Sequence, residues 1–294
     1  MHGRPTRKEA FMYNKRIFLD MDLYSIFMLI GVLSCLIFIR VLSDRRRMRA
    51  TWQNLVLFNA IFAVVLGYGG AVLFQAFYNF MASGVFEIVN DTGATFYGGL
   101  IGGTAMFIVI YFAAGHFLFK DGYHKRHFRM VSDLAAPCIT VAHGFGRLGC
   151  LMAGCCHGAC TTAWYGVYMD IPGDGTTEMV KVIPVQLYEA IFLLALAALT
   201  FVLFWKQKKY IMPLYMVTYG LWRFVAEYLR ADDRGATVVD FFSPSQLISV
   251  LLISGGLVLL AVELYADKKK TTAGNAVAVP ESGAEAASDE ASEV

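Results

Sequence analysis

The stretch PVQLYEAIFLLALAALTFVLFWKQKK, residues 184–209, decides the fold. From Ala190 to Trp205 it carries no charged side chain, and Lys206, Lys208 and Lys209 follow at once. A bilayer's hydrocarbon core of about 30 Å needs roughly 20 apolar residues in helical form, and basic residues at one end hold that end in the cytoplasm. The segment therefore reads as a membrane span over 184–205. Pro184 suits the first turn of its helix, and Glu189 sits one turn further in.

Six more stretches of this kind lie on either side, at 23–39, 55–81, 98–119, 131–154, 211–229 and 246–265. The fourth in chain order, 131–154, is interrupted by Asp133, Pro137, His143 and Arg147. The composition agrees: 57% of the 294 residues are hydrophobic and 16% charged, against about 45–50% and about 25% in soluble domains. A single water-facing domain of this size cannot bury that much apolar surface. The expected class is an all-α polytopic membrane protein with seven transmembrane helices. A net charge of +2, spread between apolar blocks, excludes the basic stripe of a nucleic-acid binder.

Orientation follows from the basic residues. Arg45, Arg46, Arg47 and Arg49 follow the first span, and Lys120, Lys125, Arg126 and Arg129 the third. The lysines after the fifth span and Lys268, Lys269 and Lys270 after the seventh complete the series. Residues 81–97 carry no Lys or Arg, and 157–183 only Lys181. The alternation places the amino terminus outside and the carboxyl terminus in the cytoplasm. It outweighs the basic residues Arg4, Arg7, Lys8, Lys15 and Arg16 of the first segment. Three regions result: an external segment 1–22, the seven-span domain 23–267, and a disordered acidic cytoplasmic tail 268–294. No internal repeat is legible, which weighs against a transporter, and the last span has no lysine for a retinal Schiff base.

Charged residues inside a membrane cost about 2.5–3.5 kcal/mol each on insertion scales, so those retained are paired and often functional. Tyr219, Arg223, Glu227 and Arg230 recur at helical spacing and are expected on one inward face. They form either an ion pair that locks helix packing or part of a site. Arg147 and Glu189 with Arg223 and Glu227 make two arginines and two carboxylates in the outer half of the bundle. A guanidinium fork matches a phosphate oxygen pair, and a phospholipid is the phosphate carrier at hand. FYGGLIGG, residues 96–103, opens the third span with Tyr97 at its mouth. Its Gly98 and Gly99 allow either close helix packing or approach of a headgroup to backbone N–H groups.

Cys150, Cys155, Cys156 and Cys160 fall with His157 inside GRLGCLMAGCCHGAC. The spacing is not the paired Cys-x-x-Cys of a structural zinc site, so metal ligation, small-residue packing, a disulfide and thiol chemistry all remain readings, and no metal or cofactor is assigned. His124 and His127, in a basic loop, read as solvated.

These segments in this order resemble the prolipoprotein diacylglyceryl transferase family. The likeness runs through LYSIFMLIG (23–31), TFYGGLIGG (95–103), SDLAAP (132–137), GRLGCLMAGCCHG (146–158), PVQLYE (184–189), YGLWRFVAEYLR (219–230) and SPSQLIS (243–249). It implies an enzyme of the bacterial plasma membrane that moves the diacylglyceryl group of phosphatidylglycerol onto the lipobox cysteine thiol of a prolipoprotein, forming a thioether and releasing glycerol phosphate outside. Its partners would be that lipid, the lipobox segment and the surrounding membrane lipids, with no nucleic acid. Arg147 matches the arginine of the family signature and Arg223 a second essential one; Tyr24, Gly158, Tyr219, Glu227 and Arg230 also match. The resemblance thus implies a catalytic set of Tyr97, Arg147, Arg223 and Glu227. The lipid would be held by Tyr24, Gly98, Gly99, Arg147, Gly158, Glu189, Tyr219, Arg223 and Arg230.

At three positions the chain departs from the family pattern, with Tyr97 for the usual His, Cys150 for Asn and Cys155 for Glu. Tyr, with a pKa near 10, is a poorer base than His at neutral pH. The replacements imply a variant type, with the alternatives of a different lipid or acceptor, or a membrane thiol or metal protein on the same scaffold.

Overall fold

In the computed structural model the described residues are 21–84, 86, 88, 95–169, 179–230 and 243–277, without the side chains of 82, 83, 96, 97 and 273–277. The long helices are α1 (Leu23–Arg45), α2 (Ala50–Ser83), α3 (Phe96–Leu118), α5 (Phe128–Met152), α6 (Val185–Trp205), α7 (Ile211–Ala226) and α8 (Pro244–Val277), with a short α4 (Tyr123–Arg126). Among the described residues six are long and apolar enough to cross a membrane, namely α1, α2, α3, α5, α6 and α8. The expected all-α fold is nearly so. The exception is a hairpin of β1 (Val167–Met169) and β2 (Val180–Val182) in the connection between α5 and α6, paired antiparallel with Val167 opposite Val182. Both segments are rich in the β-branched and aromatic residues that suit a pleated surface.

The sixth expected span, 211–229, is not a single α-helix. Its α-helix stops at Ala226, a 3-10 turn covers Glu227–Leu229, and Arg230 is extended. Gly158 then pairs in a β-bridge with Arg230, and Ala159 N–H donates to Leu229 O at 3.3 Å. Competing backbone partners end the helix there. A Cβ at Gly158 would lie 2.6 Å from Leu229 O and 2.7 Å from a Val185 methyl, so the crossing needs glycine.

The interrupted fourth span is one continuous helix, α5, with Pro137 inside it. Asp133 explains one of its interruptions. Its Oδ1 accepts from Ile211 N–H at 2.8 Å and Met212 N–H at 2.9 Å, capping α7, whose own preceding residue Tyr210 is left-handed (φ 64°) and supplies no side-chain cap. Helix starts leave N–H groups without intrahelical partners, and here a neighbouring helix supplies the acceptor.

α3 lies on α2 through small residues. A Cβ at Gly98 would come within 2.5 Å of Phe74 Cβ and 2.9 Å of Gly70 O, so the packing reading of the glycine stripe accounts for Gly98, whereas a Cβ at Gly99 would meet Ala71 and Gly67 only at ordinary contact distance.

The basic loops meet at one end of the bundle. Arg46 donates to Lys208 O at 3.2 Å, Arg49 pairs with Asp121 at 2.8 Å, and Lys209 and Arg129 each reach Asp267 at 2.9 Å. His124, expected to be solvated, is instead buried against Tyr111, Phe112 and Phe119. The short α4 folds back over α3, and Gly115 leaves the room its ring occupies. Burial pushes the His124 imidazole below its ordinary pKa, helped by Lys125 and His116. The last helix continues to Val277, ten residues past the boundary at 267, so 268–277 are helical; 1–20 and 278–294 lie outside the described residues.

Candidate functional site

Glu189 is the centre of the site. It enters on the second turn of α6 and its side chain is fully buried. Arg147 Nε from α5 lies 3.0 Å from Oε2, Tyr219 on α7 donates its hydroxyl to Oε1 at 3.1 Å, and His143 Nε2 stands 4.0 Å from the same oxygen. The His143 ring meets Tyr219 edge-on at 5.2 Å. Arg147 and His143 are four residues apart and share a face of α5, so both face the same carboxylate.

A second pair stands beside the first. Arg223 Nη2 reaches Glu227 Oε2 at 2.8 Å and Ser245 Oγ at 2.8 Å, while Ser243 Oγ donates to Glu227 Oε1 at 2.9 Å. Arg223 is near enough for its charge to act on Glu189. Its Nη1 is buried and has no hydrogen-bond partner among the described residues. A buried charged donor without an acceptor is costly, and an anion would satisfy it.

The start of α8 is built to hold this corner. Ser243 Oγ accepts from Gln246 N–H at 3.2 Å and Gln246 Oε1 accepts from Ser243 N–H at 3.1 Å, a reciprocal cap with Pro244 as the first helical residue. His143, Ser243 and Ser245 are site residues the sequence reading passed over. Ser243 was legible, because S-P-S-Q is a capping-box pattern; His143 and Ser245 are identified only by what they touch.

The expected residues divide. Arg147, Glu189, Tyr219, Arg223 and Glu227 come together. Arg230 does not share the helical face foreseen for it, since the helix has ended; its guanidinium reaches the Cys156 thiol instead. Tyr24 packs over Gly149, 3.1 Å from where a Cβ would stand, in the neighbourhood of Cys150, Cys155 and Cys156. Gly158 forms the backbone crossing, and the described contacts of Gly98 and Gly99 are with α2. Tyr97 opens α3, but its side chain lies outside the described residues.

The cysteines behave unlike their spacing. The Sγ atoms of Cys150, Cys155 and Cys156 all lie within 4.8 Å of one another. Gly154 (φ 69°) and Cys156 (φ 61°) are both left-handed and fold the chain back on the end of α5. Gln186 holds the turn, donating to Cys155 O at 2.6 Å. Cys160 is exposed and His157 Nδ1 faces Gly158 O at 2.9 Å, so neither joins the three.

Comparison with known proteins gives consistent matches. A family model described as prolipoprotein diacylglyceryl transferase matches residues 14–262. A Clostridium tetani protein named phosphatidylglycerol--prolipoprotein diacylglyceryl transferase is 30% identical over 253 residues, 82% of this chain and 93% of that one. A Xanthomonas campestris protein of the same name is 32% identical over 233 residues, 70% of this chain and 74% of its own. A Clostridium perfringens protein, named as transferase 2, is 38% identical over 146 residues; that match covers 48% of this chain and 55% of the relative.

Proposed function

Because the chain belongs to the prolipoprotein diacylglyceryl transferase family, we propose that it carries the diacylglyceryl group of phosphatidylglycerol to the cysteine thiol of a prolipoprotein's lipobox, in the bacterial plasma membrane. The observation that carries this reading is the pair of buried arginines, each facing a carboxylate, with Arg223 Nη1 buried and without a hydrogen-bond partner among the described residues.

In the reaction a thiolate sulfur attacks the glycerol carbon that bears the phosphate. The carbon–sulfur bond forms, the carbon–oxygen bond breaks, and glycerol phosphate leaves with the electron pair. Negative charge grows on the phosphate oxygens as that bond breaks. Donors already aimed at those oxygens lower the barrier without reorganising. Arg147 faces Glu189 as an ion pair at 3.0 Å through Nε; Arg223 spends Nη2 on Glu227 and Ser245 and keeps Nη1. Glu189 and Glu227 position the guanidinium groups, and Tyr219 keeps Glu189 in place. Tyr24 and Tyr97 are assigned to the lipid headgroup, with Tyr97 as a hydrogen-bond donor.

We assign seven spans. The 16 residues of α7 rise about 24 Å. The three of the following 3-10 turn add about 6 Å, which together match a hydrocarbon core of about 30 Å. The amino terminus is placed outside and the acidic tail in the cytoplasm, supported by the meeting of the basic loops at one end. Single cysteines introduced at Thr92 and Ser282 test this: an impermeant thiol reagent labels the first and spares the second in intact cells, and the opposite pattern inverts the assignment.

The activity test is direct. Membranes containing the chain, given labelled phosphatidylglycerol and a lipobox peptide, should yield thioether-linked peptide and free glycerol phosphate. Folded chain that transfers no label to the peptide would overturn the reading.

A further inference from the structure

The three sulfurs of Cys150, Cys155 and Cys156 have no part in the mechanism above, yet the fold brings them together within 4.8 Å. All three cysteines are free and half-buried. The arrangement is pinned by independent means: Cys150 by the last turn of α5, Cys155 by Gln186 on its carbonyl and by its own N–H to Cys150 O at 3.2 Å, and Cys156 by a left-handed backbone that side-chain-bearing residues rarely adopt.

We propose that Cys150, Cys155 and Cys156 hold one zinc ion as thiolates, and that the ion's fourth position receives the acceptor's thiol. The second half rests on the transferase reading; the first does not.

Zinc prefers sulfur and nitrogen donors in a tetrahedron with Zn–S distances of about 2.3 Å, which sets the sulfurs about 3.8 Å apart. Closing a triangle of at most 4.8 Å to that spacing moves each sulfur by roughly 0.6 Å, within the reach of a small side-chain rotation. Binding releases the three thiol protons to water, and Zn²⁺ with three thiolates carries a net charge of −1. Two cations stand ready to offset it. The Arg230 guanidinium hydrogen-bonds Cys156, and Arg147 lies within electrostatic reach of Cys150 and Cys156.

Among the described residues the donor group ends at three. Zinc sites that do chemistry keep three protein ligands and an open place, whereas structural sites are closed by four. Its neighbour Arg147 is one of the two phosphate-binding arginines, so the open place adjoins the proposed leaving group. A thiol entering it gives its proton to water and stays as a thiolate, the form the attack requires. That supplies activation in a chain whose Tyr97 is a poor base at neutral pH.

The test uses the full chain purified in lipid nanodiscs. Metal analysis should find a single zinc per chain in the wild type, lost in Cys150→Ser, Cys155→Ser and Cys156→Ser. Cobalt exchanged into the wild type should show sulfur-to-cobalt charge-transfer absorption, so the assignment does not depend on any variant folding. Arg230→Gln, removing a group that touches a ligand sulfur, should weaken zinc roughly 10- to 100-fold. Adding a lipobox peptide without lipid should then shift the cobalt spectrum, and the same peptide with Ser for Cys should not. Three free thiols with no metal, a disulfide between any two of them, or a cobalt spectrum indifferent to the thiol peptide would each overturn the proposal. Lipid transfer is scored separately: a metal-free chain that still transfers removes this inference and leaves the transferase reading standing.

Discussion

Arg147→Ala separates two roles that the buried pair could play. Glu189 is fully buried and Arg147 Nε stands 3.0 Å from it, so deleting the guanidinium strands a carboxylate whose remaining close donor is the Tyr219 hydroxyl at 3.1 Å. Breaking such a pair from one side costs about 3–5 kcal/mol of stability. Loss of a donor aimed at the leaving phosphate costs about 2.7–4 kcal/mol of transition-state stabilisation, or a transfer rate lower by about 100- to 1,000-fold. Glu189→Gln added to Arg147→Ala removes the stranded charge and keeps an amide oxygen for Tyr219. Stability should then return to within about 1.5 kcal/mol of wild type, because removing both partners of a buried pair is close to neutral, while transfer stays lost. The assays are denaturation in detergent followed by tryptophan fluorescence, and labelled-lipid transfer to a lipobox peptide. If the double variant regains transfer together with stability, Arg147 serves only to satisfy Glu189, and the phosphate assignment is refuted.

Arg223→Lys keeps the charge but has one point of attachment for Glu227, Ser245 and the lipid, so transfer should fall at least about tenfold with little change in expression; unchanged transfer would deny the forked contact. Gly98→Ala pushes a methyl against Phe74 Cβ and Gly70 O and should destabilise by about 1–3 kcal/mol in a denaturation series; normal stability with lost transfer would return Gly98 to the headgroup site. Asp133→Ala removes the cap on α7 and should cost about 1–2 kcal/mol, while Asp133→Asn, which keeps an acceptor, should cost less. Burial lowers the pKa of His124, so below about pH 6.5 the unfolded chain binds a proton that the folded one does not; stability is full above that pH and falls beneath it by at most about 1.4 kcal/mol per pH unit until the folded-state pKa is reached. His124→Phe should flatten that part of a stability-against-pH curve, and an unchanged curve would place the acid sensitivity elsewhere.

The amino-acid sequence by itself determined that this is a helical membrane protein, and named the residues that form its charged core. Both are local properties. A run such as 184–205 is apolar whatever it packs against, and Arg147, Glu189, Arg223 and Glu227 stand out because charge is rare in such runs. The ordered motifs carried the family in the same way, through short segments legible one at a time.

What the tertiary structure decided depends on partners far away in the chain. Asp133 interrupts an apolar span for no visible reason until the start of α7, nearly 80 residues later, is placed beside it. Helical spacing carries Tyr219 to Arg230 along one face, but the backbone of Gly158 and Ala159 captures Leu229 and Arg230 and ends the helix first. His124 looks solvated in its basic loop until α4 folds it onto Gly115. Cys150, Cys155 and Cys156 do not have the spacing of a metal site, yet two left-handed residues turn their sulfurs toward one another. Periodicity reports which way a side chain leaves its own helix, whereas closure of a turn and meeting of distant groups are set by the packing of the whole bundle.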